Sequence, residues 1–314
     1  MSQASTTTTA PPLDVDAARF RLVGILMATC SILLFSSRPL LVKYIYLFSA
    51  DAVTLLALRM SFSAPIFLLG WWLLGRRQGR GAPLHARDIA IVAALGVLGY
   101  YLASFLDMLG LLYVSAGLGR LILFVYPTIV VLLSAVFLGT RPRARDIGGL
   151  VITYVGIALV LSQELGGDNH ALLFGVLLVF GSALSYSVYL VAGSELTRRI
   201  GSLRFTAGSL GVATLCALAQ FLVLRPFSAL DLPMEVFVAA AAIGLFCTAI
   251  PVFLTAEALR RVGAGTVAII GALGPPWAMV LEQVVLGVTP NLMQYVGTAV
   301  VIGGVMLVTL RSRR

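Results

Sequence analysis

The chain is a succession of long apolar runs separated by short polar connections. Ten runs come close to or exceed the ~20 residues that carry a helix across a bilayer. They lie at roughly 21–48, 52–74, 89–113, 116–138, 146–163, 171–197, 203–225, 234–258, 264–286 and 291–310. The connections, such as GRGAPLHARD, GTRPRARD, QELGGDNH and GVTPN, are rich in turn-forming residues. The apolar runs are continuous and lack the short alternating strands of a transmembrane β-barrel. The pattern predicts an all-α membrane protein with ten transmembrane helices.

The pattern also repeats. A shift of 148 residues places Ala116 and Gly117 on Ala264 and Gly265, Pro127 on Pro275, Gly139 on Gly287, Gly149 on Gly297 and Gly156 on Gly304. Earlier in each half a shift of 151 places Gly24, Ser31, Phe35 and Ser36 on Gly175, Ser182, Tyr186 and Ser187. Spans one to five and six to ten are therefore two copies of one unit. Five is odd, so the copies enter the membrane from opposite sides. Inverted repeats of this kind are a common construction of alternating-access transporters, with cargo held near the midplane. The expected organisation is a disordered tail over 1–20, one five-helix repeat over 21–163, a second over 171–310, and a basic tail over 311–314. In each half the last span carries glycines two turns apart, which predicts close helix packing.

Composition agrees: 60% of the 314 residues are apolar and 11% charged, against about half and a quarter in a soluble domain. The net charge of +9 suggests nucleic-acid binding only until the arginines are placed. They fall in alternate connections, at Arg76, Arg77, Arg80 and Arg87, at Arg141, Arg143 and Arg145, at Arg198 and Arg199, at Arg260 and Arg261, and around both ends of the chain. The intervening set has almost none: SADA, VSA, ELGGDNH and GVTPN carry no Lys or Arg. Basic loops stay in the cytoplasm, so both termini are expected there, in a multi-pass protein of the cell (inner) membrane. The expected partners are a small-molecule substrate and the lipid bilayer, with no nucleic acid. Oligomeric state is left open.

Several polar residues interrupt the apolar runs. A charge at the middle of a membrane helix costs ~2.5–3.5 kcal/mol on insertion scales, so such residues usually face a cavity or a partner. Helical spacing groups Ser31, Phe35 and Arg38 on the first span, Tyr100, Ser104 and Asp107 on the third, Arg120, Phe124, Pro127 and Ser134 on the fourth, and Ser182, Tyr186 and Tyr189 on the sixth. With Arg59 of the second span they form the candidate substrate-binding set: Phe35, Arg38, Arg59, Tyr100, Ser104, Asp107, Arg120, Phe124, Tyr186 and Tyr189. Pro127, Pro275 and Pro276 are expected to kink the fourth and ninth spans around one central cavity. Asp107 is expected to neutralise an arginine and to share a network with Arg120, leaving a positive region suited to a carboxylate. Asp107 and Glu282 are candidate proton sites; Glu257, near a loop, reads as a solvated acid. Cys30, Cys216 and Cys247 lack metal-ligand spacing, so no metal or cofactor is expected. Without HExxH, GxSxG or CxxC, or an embedded histidine, the chain does not read as an enzyme.

The ten spans, the five-plus-five repeat, the paired AG…P…LG…G pattern, TLLALRMSF around Arg59 and FSSRPLLVKY around Arg38 together resemble the drug/metabolite transporter superfamily, specifically its EamA-type members. The resemblance covers nearly everything after about residue 20. It implies a transporter of small polar or amphipathic metabolites, export included. In such proteins the glycine after the fourth or ninth span is often followed by glutamate; here Thr140 and Val288 follow. Proton-coupled drug or toxin efflux is the alternative within the same superfamily.

Overall fold

The computed structural model describes residues 15–77, 85–139, 144–165 and 169–309. Ten of its helices are long and apolar enough to cross a membrane. We label them α1 (Ala18–Tyr46), α2 (Ala52–Leu69), α3 (Ala86–Gly110), α4 (Ala116–Leu138), α5 (Ala144–Glu164), α6 (Asn169–Ile200), α7 (Arg204–Leu224), α8 (Met234–Gly263), α9 (Ile269–Leu286) and α10 (Leu292–Thr309). No strand occurs among the described residues. Helical structure begins at Val15, before the apolar run, in a stretch the sequence assigns to the disordered tail; residues 1–14 and 310–314 lie outside the described residues. Exposed Val136, Phe137, Leu222 and Val223 give the bundle an apolar outer surface, as a protein solvated by lipid tails requires.

The packing obeys the inverted repeat. α5 lies along α10, α2 along α7, α1 along α8 and α3 along α6. Exchanging the halves turns the α1–α8 pair into the α6–α3 pair and leaves the other two unchanged. Individual hydrogen bonds follow the same exchange. Ser31 Oγ donates to the Pro251 carbonyl at 2.8 Å, and Ser182 Oγ donates to the Ala103 carbonyl at 2.6 Å. These serines are 151 residues apart and the carbonyls 148, the two offsets read from the sequence. The glycines of α5 and α10 bring backbone against backbone: a Cβ on Gly156 would lie 2.8 Å from the Gly297 carbonyl oxygen, and one on Gly297 2.9 Å from that of Gly156.

Irregularities repeat too. α4 is interrupted at Phe124–Val125, ahead of Pro127, and α9 at Ala272–Leu273, ahead of Pro275. Each proline sits in the first turn of the second segment, where its missing N–H is least costly. Both second segments end on a left-handed glycine, Gly139 (φ 67°) and Gly287 (φ 70°), which explains why this glycine recurs. α3 contains a π-helical stretch at Val97–Leu102, and α8 one at Leu245–Ala249.

One relation breaks the symmetry. The Ala116–Leu123 segment of α4 packs on the Gly274–Leu286 segment of α9, whereas the equivalent partners, Tyr126–Leu138 and the start of α9, make no comparable contact. The crossing helices meet at the end of the bundle with the turns around residues 47–51, 111–115 and 287–291, and part at the other. We call these the arginine-poor and arginine-rich ends.

At the arginine-poor end Asp51 caps α2. Its carboxylate accepts from Val53 N at 2.9 Å and from Thr54 Oγ1 at 2.6 Å, and Arg225 Nε approaches to 3.1 Å. Burial pushes the Asp51 carboxyl up, but the bonds from Thr54 and Val53 and the nearby Arg225 charge outweigh it and hold the group below the usual carboxylate range. A lowered pKa contributes stability above the unfolded-state pKa that is lost as pH falls through the folded value. Asp51→Ala is expected to cost about 0.5–2 kcal/mol, the worth of an N-cap. Thermal denaturation should show the full difference at pH 7 and a shrinking one as pH falls below the usual carboxylate range.

Candidate functional site

Embedded charges gather where α1, α2, α3 and α4 meet. The short segment after the α1 bend at Ser37 starts with Arg38 and Pro39; the proline at its first turn turns Arg38 into the bundle. Arg38 forms a buried ion pair with Asp107 of α3. Arg59, wholly enclosed on α2, donates through Nη2 to Ser104 Oγ at 2.9 Å, one turn from Asp107. Arg120 on α4 lies over the Phe35 ring at 4.7 Å from its centroid, and Arg38 approaches the same ring at 5.3 Å. Cation–π contact of this kind is strongest where water is excluded. The break in α9 lets Gly274 approach this group: a Cβ there would sit 2.8 Å from Ser36 Oγ and 3.3 Å from Arg120 Nη2. Phe124, buried at the break in α4, borders Gly271 of α9.

Three guanidinium groups thus share one carboxylate, and donors are left over. Arg38 Nε, Arg59 Nε and Nη1, Arg120 Nε and Ser36 Oγ are buried without a hydrogen-bond partner. A buried unpaired polar group costs about 1–3 kcal/mol, more when charged. All of these unpartnered donors belong to the first repeat.

The second half carries no such charge at the equivalent positions. Tyr189 stands at the register of Arg38 and Ala268 at that of Arg120; Ser209 answers Arg59, because Gly96 meets the Ser209 backbone as its counterpart Gly244 meets that of Arg59. Tyr189 instead belongs to an aromatic stack on the arginine-rich side. Its ring packs against Tyr100 at 5.1 Å, Tyr186 at 5.9 Å and Phe205 at 5.0 Å, and Tyr126 meets Tyr186 at 5.5 Å. Gly99 leaves the notch that Tyr189 fills. The predicted set therefore divides into a charged group (Phe35, Arg38, Arg59, Ser104, Asp107, Arg120) and an aromatic group (Tyr100, Tyr186, Tyr189), with Phe124 at the break between segments.

Some expectations change. The partner of Asp107 is Arg38, not Arg120, because Arg120 turns towards Phe35 and Gly274. Glu282 is bound by backbone: its carboxylate accepts from Ala116 N at 2.8 Å and Gly117 N at 2.7 Å. Glu257 pairs with Arg260 and Arg261 at 2.5 and 2.6 Å near the end of α8. Tyr126, Phe205 and Ser36 complete the two groups and escaped sequence reading; the position of Tyr126 directly before Pro127 was the available signal. Among the described residues no cluster of His, Cys, Asp or Glu could hold a metal ion.

Comparison with known proteins agrees with this architecture. The chain is similar to an uncharacterized transporter, YcbK, of Bacillus subtilis (strain 168), with 26% identity over 289 residues, 87% of each chain. It is also similar to a probable terminal-alkyne amino-acid exporter of Streptantibioticus cattleyicolor, with 28% identity over 239 residues, 76% of this chain and 77% of the relative. A crystal structure titled only as that of a protein shares the fold, with a TM-score of 0.62 and 21% identity over 93% of this chain and 98% of the other. Residues 22–162 and 173–310, one five-helix repeat each, match the EamA-like transporter family. The chain belongs to that family.

Proposed function

We propose that this chain exports a small metabolite bearing a carboxylate, amino-acid-like or otherwise anionic or zwitterionic, by alternating access across the cell membrane, with both termini cytoplasmic and no chemical change to the cargo. The observation that carries this reading is the set of orphaned guanidinium donors around Asp107. Arginine forks match a carboxylate in geometry and charge. A carboxylate entering between Arg38, Arg59 and Arg120 satisfies those donors and competes with Asp107 for Arg38. An ammonium group on the same cargo then meets the released Asp107. The Streptantibioticus relative carries the name of a probable terminal-alkyne amino-acid exporter, a cargo of this chemical kind. Efflux of cationic drugs needs a free embedded acid, and both candidates are engaged: Asp107 by Arg38 and Glu282 by backbone N–H groups.

Flux into proteoliposomes against a panel of amino acids, simple carboxylates and amines tests the reading. Carboxylate-bearing compounds should move or compete, and simple amines should not. Arg120→Ala should weaken apparent affinity about ten- to a hundredfold, the worth of a charge-assisted hydrogen bond. Transport of amines with no effect of carboxylates would overturn the proposal.

A further inference from the structure

The first turn of α4 leaves N–H groups without intrahelical partners. Ser115 Oγ accepts from Leu118 N at 3.1 Å, the ordinary cap within the chain segment. The donors at Ala116 and Gly117 are taken by Glu282, which comes from the other repeat. Ser115 in turn donates to Glu164 Oε1 at 2.5 Å, at the end of α5. Lys43, at the end of α1, lies within electrostatic range of both acids. Gly117 allows the close crossing: a Cβ there would meet Met279 Cγ at 2.9 Å and Glu282 Oε2 at 3.3 Å. A cavity of about 130 Å³, lined in part by Ser115, Glu164, Glu282, Gln294 and Thr298, adjoins the carboxylates.

This bond lies on the crossing that distinguishes the two ends of the bundle. The residue at the register of Glu282 in the first repeat is Ser134, so the opposite crossing has no carboxylate to close it. We propose that Glu282 is the latch of the arginine-poor gate: the gate opens when its carboxylate leaves the α4 terminus.

In the closed state the carboxylate meets two N–H donors and the positive end of the α4 dipole. Opening breaks both bonds, so the bonds hold this end of the bundle shut. The inference adds a gate to the transporter reading and is independent of the cargo.

Distance measurements between spin labels test it without any substrate. The full chain is placed in lipid nanodiscs after Cys30, Cys216 and Cys247 are replaced by alanine, with labels at Leu112 and Val288, both exposed at the arginine-poor end. Glu282→Ala, which removes both bonds to the α4 terminus, should raise the long-distance population. Glu282→Gln, which keeps one amide oxygen as an acceptor, should raise it less. Gly117→Ala, which strains the crossing but leaves the acid, should also raise it, and Glu164→Gln should leave it close to the parent's. A distance distribution that Glu282→Ala leaves unchanged would overturn the proposal. That failure leaves the carboxylate-transport reading to be judged by flux.

Discussion

Arg38→Ala is expected to abolish transport and to destabilise the protein, and the two effects can be separated. The substitution takes from Asp107 its hydrogen-bonded cation at a site with almost no solvent access. Removing one partner of a buried ion pair costs about 3–5 kcal/mol, because the remaining charge stays desolvated. Arg59 and Arg120 are close, yet Arg59 is directed to Ser104 and Arg120 to Phe35, so neither replaces the lost bond without moving. The double variant Arg38→Ala with Asp107→Ala removes both charges and should recover most of the thermal stability in detergent. It should not recover flux, since the guanidinium fork proposed to receive the cargo is still missing. A double variant that regains transport would assign the pair a structural role alone. Full flux by the single variant would remove Arg38 from the site.

Gly304→Ala should lower the thermal midpoint by several degrees, whereas Gly303→Ala should leave it unchanged. Both residues lie in α10. A Cβ on Gly304 meets Thr153 N at 2.6 Å and the Gly149 carbonyl oxygen at 2.7 Å, and nothing lies within 4 Å of one on Gly303. Backbone atoms cannot rotate aside as a side-chain tip does, so α5 and α10 must separate along their length. Overpacking of this sort costs about 1–3 kcal/mol even where side chains can adjust. Membrane helices have no hydrophobic effect to hold them together and rely on such close packing. The first repeat provides the same pair of neighbours: a Cβ on Gly149 would lie 2.8 Å from the Gly304 carbonyl oxygen, and nothing lies within 4 Å of one on Gly148. Equal effects of the two substitutions in either pair would show that the α5–α10 contact contributes little.

The spans, the inversion and the paired interruptions were legible because each rests on a local property. Hydrocarbon length sets the runs, and proline and left-handed glycine mark the same places in both halves. Ser31 and Ser182 were recognisable as equivalents, and their hydrogen bonds proved equivalent too. Partner choice among the charges was less accessible. Asp107 and Arg120 flank one turn at nearly one depth, so depth alone favours their pairing. The bend after Ser37 and the pull of the Phe35 ring decide otherwise, and neither shows in a helical-wheel argument. The capping of α4 by Glu282 was hidden because it joins residues from different repeats through backbone donors, which have no sequence signature. The π-helical stretches were hidden for a related reason: an i→i+5 turn changes hydrogen bonding without changing hydrophobicity.

Those stretches also record a history. Val97 and Leu245 are 148 residues apart, the offset that relates the prolines and capping glycines. A π turn arises when one residue is added to a helix, and two separate additions would have no reason to fall at one register. A coincidence of register is what a five-helix unit copied whole would leave. The arginines follow no such rule, since Arg38, Arg59 and Arg120 have Tyr189, Ser209 and Ala268 as counterparts. Backbone irregularities coincide between the copies and the embedded charges do not, so the charge polarity between the two sides of the membrane is carried by side chains that the two halves do not share.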